Sequence, residues 1–455
     1  MASYDTIVIG GGPGGYVAAI RAAQLGQNTA VVERDKAGGR CLNYACIPAK
    51  TILHTAEVFS EVFQDGGELG IKANGVSIDW KAAQTRRAKV SKTLEDGVAM
   101  LWKKNKIDVL NGEGSLEGAG KVKVGSETHE AKAIILATGS VAMPIPGIDF
   151  SDRVIGTWGA WSLEKLPKAL VVAGAGASGA EIASAYARLG VQVTLVEMLD
   201  QVLPLEDKDM ARVVERQFKK DGIDVQLGTK VEGVSESKSG LTVKVGGKDV
   251  KAEYLAIAGG RRPDTDPLNL EAAGVKVEEN GRVAIDDYQR TSADGVFAIG
   301  DLVRGPALAH KAQEEGVVAA ETAAGSETHP IDVDLVPGAT FCHPQVASVG
   351  LTEEAAKESG RQINVGKFKL GGVGASVVYD DRAGMVKIVG DPEYGEILGA
   401  HIVGNRACDM ISEFVDVIAL EGGYPELARI VHPHPTMSEA VLDAARAVEG
   451  WATHA

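Results

Sequence analysis

Asp5-Thr6-Ile7-Val8-Ile9-Gly10-Gly11-Gly12-Pro13-Gly14-Gly15 decides how the rest of this chain is read. A short apolar strand pattern runs straight into Gly10, Gly12 and Gly15, which fit G-x-G-x-x-G. A helical pattern follows from Tyr16 to Leu25, Gly26 closes it, and a second strand pattern, Thr29 to Val32, ends on Glu33. Strand, glycine turn, helix and acid in this order build a dinucleotide site. The glycines allow a tight turn and close backbone approach to a pyrophosphate at the helix N-terminus, while the acid takes ribose hydroxyls. The glycine spacing alone would also suit an ordinary loop; its neighbours favour the nucleotide.

The unit returns further along. Leu170 to Ala173 lead into Gly174, Gly176 and Gly179, a helix pattern ends at Leu189-Gly190, and Val193 to Val196 end on Glu197. Gly10 with Gly174 and Glu33 with Glu197 share one offset of 164. Two matches in register predict two α/β dinucleotide folds, and hence electrons passing between two nucleotides. Glu197 would bond a free ribose 2′-hydroxyl and repel a 2′-phosphate, and Met198 to Leu203 carry no Arg or Lys, so NAD is expected over NADP. The alternative is a Glu197 that caps a neighbouring helix.

Close after the first unit stands Gly39-Arg40-Cys41-Leu42-Asn43-Tyr44-Ala45-Cys46-Ile47-Pro48-Ala49-Lys50, with two of the chain's four cysteines. The spacing is not that of a zinc site. On a regular helix, residues five apart lie about 140° apart and their Cα atoms roughly 8.7 Å. A disulfide needs less than about 7 Å, so a bonded Cys41–Cys46 pair requires an irregular turn, which Asn43 and Pro48 suit. Two buried cysteines that never meet are the other reading, and the pair alone does not choose.

Composition narrows the classes. At 455 residues the chain has length for about three domains, and 56 glycines fit several nucleotide turns. A net charge of −15 without a basic stripe argues against nucleic acid and anionic membranes as partners. No basic region with an apolar core opens the chain, and no apolar run of about 20 residues could span a membrane, so a cytoplasmic location without membrane insertion is expected. In a reducing compartment four cysteines are not a structural framework, which shifts weight toward a catalytic pair.

Further on, Phe59 to Lys106 read as helical stretches around an irregular segment near Gly66 to Asp79. Ala133 to Ser140 form a buried strand and small-residue turn, and Pro144 to Gly147 a linker. Tyr254 to Pro263 suggest another strand and turn, and Val296 to Asp301 a strand ending in Gly-Asp. Asp301 there could accept a ribityl hydroxyl, with the helix beginning near Leu308-Ala309-His310 aimed at a flavin, or be a surface acid in a turn. From Ala339 onward β-rich segments and two helices suggest a separate α+β domain. His432 and His434 each precede proline with no third metal ligand nearby; His434 with Glu439 suits an acid/base catalyst, against the reading that both histidines are structural.

Together, the Gly10 to Gly15 turn, Gly39 to Lys50, Ala137 to Ser140, Gly174 to Glu181, Val296 to Asp301 with Pro306 to Ala312, and His434 to Glu439 resemble the pyridine nucleotide–disulfide oxidoreductases over essentially the whole chain. The resemblance is strongest to members that oxidise dihydrolipoamide. It implies an α/β architecture: an FAD-binding domain in residues 1–147 and 283–337, an NAD-binding domain in 148–282, and a C-terminal dimerisation domain in 338–455. It implies a Cys41–Cys46 redox disulfide in which Cys41 exchanges with a dithiol substrate and Cys46 passes electrons to FAD. Lys50 is implied to pair with Glu181 beside the flavin, with Thr138, Gly139, Gly260 and Ala309 among the cofactor-binding positions. His434, oriented by Glu439, is implied as the base that deprotonates the incoming thiol at the disulfide of the partner subunit. The implied partners are a second copy of the chain and a lipoyl domain or carrier of a 2-oxo-acid dehydrogenase or glycine-cleavage complex.

The sequence departs from the family at Arg40, Ala45 and Ala49, where Thr, Gly and Ser or Thr are common, and at Ala177-Ser178, usually a bulkier pair. Arg40 bears either on the thiolate or on which substrate enters. Relatives acting on glutathione-like disulfides usually take NADP, which Glu197 disfavours, and those with a second redox pair near the end are not matched by Gly450 to Ala455. Reduction of another small disulfide, and a docked subunit with assembly as its main role, stand as alternatives.

Overall fold

The structure, a computed structural model, describes residues 2–62, 70–72, 75–238 and 240–454. The irregular segment expected near Gly66 to Asp79 falls partly outside them. Contacts divide the chain into two compact units, Met1–Thr51 with Ala82–Met143 and Gly260–Val333, and Ile52–Lys81 with Pro144–Gly259 and Asp334–Ala455.

The first unit is built on a seven-stranded sheet. Ser3–Ile9 lies at its centre, parallel to Thr29–Glu33 on one side and Glu127–Leu136 on the other, and Val296–Ala298 also pairs in parallel with Glu127–Leu136. Alternate residues feed two separate cores. Ile7, Ile9, Ile134 and Leu136 pack on one face, while Val8, Val31, Ile135 and Phe297 pack on the other against Ala18, Ala19 and Ala319 of two helices, Pro13–Gln24 and Ala309–Ala324. Both faces are covered, which is why these strands read as unbroken apolar runs.

The second unit repeats the design with a five-stranded parallel sheet, in which Ala169–Ala173 is flanked by Gln192–Val196 and Tyr254–Ile257. Its helix Ala177–Arg188 occupies the same place, at an offset of 164, as Pro13–Gln24 in the first unit. The same unit holds a five-stranded antiparallel sheet running from Gly338–Thr340 to Asn364–Lys369, backed by the helices Ala407–Ala419 and Glu439–Val448 together with shorter ones.

One face of that antiparallel sheet carries a polar row whose middle, Lys387 and His401, is buried. Lys367 pairs with Lys387, Lys387 with His401 and His401 with Ser348, so four strands contribute to one row. Asp207, Asp209 and Glu353 face it, and the Lys387 ammonium lies 2.7–2.9 Å from all three carboxylates.

The chain returns to the first unit at Gly260, because Arg261–Pro263 immediately forms a two-stranded antiparallel ribbon with Ser140–Ala142, the segment by which it left. The nucleotide and antiparallel parts of the second unit cluster as one body, fastened by the charged row just described.

Candidate active site

The two glycine turns have the same geometry. Gly10 and Gly174 have φ of +109° and +102°, and a Cβ on either would stand 2.3 or 2.6 Å from a carbonyl oxygen of the adjoining strand. A Cβ on Gly15 or Gly179 would lie 1.8 Å from the oxygen of Gly10 or Gly174, so helix and strand approach only without side chains. Gly12 and Gly176 are extended, with nothing within 4 Å of a Cβ, and leave the helix N-terminus open to a ligand. Glu33 accepts from the Gly11 amide and Glu197 from the Ala175 amide, each at 2.7 Å. Both acids therefore sit against their own glycine turn, and Glu197 is placed as Glu33 is.

The cysteine stretch breaks where disulfide reach requires it. A helix runs from Gly39 to Tyr44, Ala45 leaves helical geometry at φ −131° and ψ −94°, and a new helix starts at Cys46. Asn43 is buried and its amide donates to the Ala37 and Gly39 carbonyls, which holds the first short helix in place. Across that break the Cys41 and Cys46 side chains are in contact. The Cys41 thiol is pushed well up because it is hydrogen-bonded to Cys46 and buried, while Lys50 and Arg40 pull it the other way.

Around Asp301 the first unit gathers a polar cluster. The Ser140 hydroxyl donates to Asp301, and the Arg261 Nε donates to that hydroxyl at 2.8 Å while its Nη2 donates to the Ser140 carbonyl. Thr138 donates to the Asp264 carbonyl at 2.7 Å, the Asp264 amide donates to the Gly139 carbonyl at 2.9 Å, and the Asp264 carboxylate takes Arg34 at 2.6 Å. The loop at Gly300 is fixed from behind. Glu315 accepts from its amide, Lys311 donates to its carbonyl, and the two side chains form a buried ion pair at 2.8 Å. Burial pushes the Glu315 carboxyl up, partly offset by Lys311.

In the second unit His434 Nδ1 meets Glu439 Oε1 at 2.9 Å, and Glu439 also accepts the Thr436 amide at 2.9 Å. Burial works against the charge on Glu439, but the Thr436 amide and His434 outweigh it and hold the carboxyl below its ordinary range. The His434 ring is largely exposed. His432 has a separate acid, Glu413, which raises it above an ordinary imidazole. Glu181 accepts the Phe341 amide at 3.0 Å and belongs to the second unit, whereas Lys50 belongs to the first.

Comparison with known proteins agrees with this geometry. Residues 4–316 match the family model of pyridine nucleotide-disulphide oxidoreductases, and residues 336–445 match the dimerisation domain of that family. The chain belongs to this family. A dihydrolipoyl dehydrogenase from Rhizobium etli is 43% identical over 97% of this chain and 98% of its own length, and one from Geobacillus stearothermophilus is 40% identical over 99% and 97%. Among solved structures, LpdA from Mycobacterium tuberculosis superposes with a TM-score of 0.91 at 27% identity, covering 98% of this chain and 99% of that one.

As a pyridine nucleotide-disulphide oxidoreductase the protein takes FAD and NAD, and its dimerisation domain makes it a homodimer. The residues present fit FAD. A cavity of about 350 Å³ beside the first turn is lined by Glu33, Asp35 and Trp102, next to the open face of Gly12. No helix among the described residues is long and apolar enough to cross a membrane.

Sequence reasoning missed Arg261, Asp264, Lys311 and Glu315. Lys311 and Glu315 had a legible signal, a charge pair four apart on the buried face of an alanine- and valine-rich helix. Arg261 had none, because its partner Ser140 is more than a hundred residues away.

Proposed function

We propose that the protein oxidises protein-bound dihydrolipoamide to lipoamide, with electrons leaving through the Cys41–Cys46 pair and FAD to NAD⁺. The observation that carries this reading is the thiol–thiol contact across the helix break at Ala45, one short helix away from the first nucleotide turn. The curated relatives of near-identical length that bear the name dihydrolipoyl dehydrogenase support it. FAD, when bound, supplies two-electron carriage between a thiol pair and a nicotinamide.

The protein's residues handle sulfur and protons. Only a thiolate attacks a disulfide, and an ordinary thiol near pKa 8.5 is mostly protonated at neutral pH. His434 takes the proton of the first substrate thiol, with Glu439 fixing the ring so that Nε2 faces outward as the acceptor. The substrate thiolate attacks Cys41 Sγ, the Cys41–Cys46 bond breaks, and the electron pair leaves on Cys46. The second substrate sulfur, deprotonated in turn, attacks the first, closes the substrate disulfide and releases Cys41. Two electrons and the disulfide have then exchanged places, leaving Cys41 and Cys46 as a dithiol. In the dimer His434 serves the disulfide of the partner subunit, the lipoyl group arrives on a carrier domain, and the reaction is set in the cytoplasm.

Glu439→Gln should lower dithiol turnover by about 10- to 100-fold, less than the roughly 10²–10⁴ that a general base supplies, because the base remains but loses its orientation. The decisive assay of the proposed function is a substrate panel on the purified enzyme. NADH should form rapidly from dihydrolipoamide, with glutathione-like and other small dithiols slower by orders of magnitude; flavin-loaded protein with no dihydrolipoamide turnover would sink the reading.

A further inference from the structure

Arg40 is a departure from the family that the chemistry above does not use. The short helix it belongs to starts on the first nucleotide turn: the Gly38 amide donates to the Gly11 carbonyl at 2.9 Å, and a Cβ on Gly39 would stand 2.7 Å from Gly12 Cα. Arg40 is thus the first long side chain beyond the open face of Gly12. Arg261 arrives from the ribbon and is pinned by Ser140, whose hydroxyl is bonded to Asp301.

Both guanidinium groups are half-buried, and each feels the Asp301 carboxylate. They also feel each other: burial and the neighbouring Arg40 push Arg261 down to about 10, and burial pushes Arg40 down as well. The Asp264 carboxylate nearby is already paired with Arg34. Two like charges brought together partly out of water beside the open face of Gly12 favour an anion placed between them. A helix N-terminus with no acid in its first turn opens onto the same place.

We propose that Arg40 and Arg261 form a two-guanidinium clamp on the pyrophosphate of FAD, so that Arg40 supplies a charge where the usual threonine offers only a hydroxyl. Planar guanidinium forks suit phosphate oxygens bidentately. This rests on the reading of the Gly10 to Gly15 turn as the FAD site.

The test is FAD affinity, read from flavin fluorescence released on serial dilution of the holoenzyme at low and high salt. Arg40→Thr should raise the FAD Kd at least about tenfold and flatten its salt dependence, while Arg40→Lys should stay within about threefold. An Arg40→Thr Kd within twofold of wild type overturns the proposal, as does equal weakening by Thr and Lys, which would make packing rather than charge responsible. Unchanged FAD affinity with slower alkylation of the NADH-reduced cysteines overturns it too, because the cation would then serve the thiolate. Gly12→Asp separates this inference from the reading beneath it. Its backbone suits any residue and its Cβ meets nothing within 4 Å, so the variant folds and sets an acid against the pyrophosphate. Retained FAD in Gly12→Asp would refute the turn as the site; lost FAD there with unchanged affinity in Arg40→Thr would refute only the clamp.

Discussion

Cys46→Ser abolishes dithiol turnover, by at least about a thousandfold, while NADH-driven reduction of an artificial acceptor stays within about threefold of wild type. The asymmetry follows from which steps need two sulfurs. Disulfide exchange moves an electron pair only if Cys41 is bonded to a sulfur that can leave, and a serine hydroxyl forms no such bond. Cys41 alone can still make a mixed disulfide with an oxidised substrate, but no intramolecular partner then resolves it. Hydride exchange between NADH and FAD involves neither cysteine. Steady-state rates in both directions, with flavin absorbance confirming cofactor content, check the result. Surviving dithiol activity would show that Cys46 is not the leaving sulfur, and loss of both activities would show that the substitution damaged the flavin site instead.

The parts of the fold that were legible in the sequence are those set by local geometry. The two nucleotide units repeat at an offset of 164 because each turn needs glycine at the same three positions for three different reasons, and those reasons reappear almost ångström for ångström at Gly10, Gly12, Gly15 and at Gly174, Gly176, Gly179. The helix break at Ala45 was legible because sulfur reach forbids a continuous helix from Cys41 to Cys46. The return to the first unit at Gly260 was not, since it depends on Arg261–Pro263 pairing with Ser140–Ala142 across more than a hundred residues. For the same reason the acids and cations that fix Asp301 and its loop stayed hidden: Arg261 and Asp264 look like turn residues until the ribbon is formed. His434 and Glu439, five apart, needed only one turn of chain to meet.

The charged row in the second unit supports the other large effect, a stability loss in Lys387→Met. Lys387 is 2% exposed and bridges Asp207, itself 3% exposed, with Asp209 and Glu353. Burial alone pushes Asp207 up, and Lys387 with the Asp209 amide more than reverses it; Asp209 and Glu353 are each held down to about 2, Asp209 by Lys367 and Lys387 against burial, Glu353 by Lys357 and Lys387. Methionine matches the stem but takes away the one cation the three carboxylates share, leaving Lys367 near Asp209 and Glu353 and Lys357 on the outer side of Glu353. Breaking a buried ion network by removing one member costs about 3–5 kcal/mol, or roughly 5–15 °C in unfolding midpoint for a body of this size. The pH dependence has a definite sign. Because the folded carboxyls titrate below their unfolded values, their contribution is complete above about pH 4.5 and is lost as pH falls toward 2. Lys387 is raised, so its share persists through neutrality and fades only above its unfolded value of 10.5. In Lys387→Met the acids lack that cation and take up protons earlier, which relieves their repulsion. The gap between variant and wild type should therefore be widest near pH 7 and shrink below about pH 4.5. Thermal midpoints of the FAD-loaded dimer at fixed protein concentration measure it. Adding Asp207→Leu to Lys387→Met should recover part of the loss, because an apolar pair leaves no buried charge uncompensated; two additive losses would mean that the row is held by packing rather than by charge.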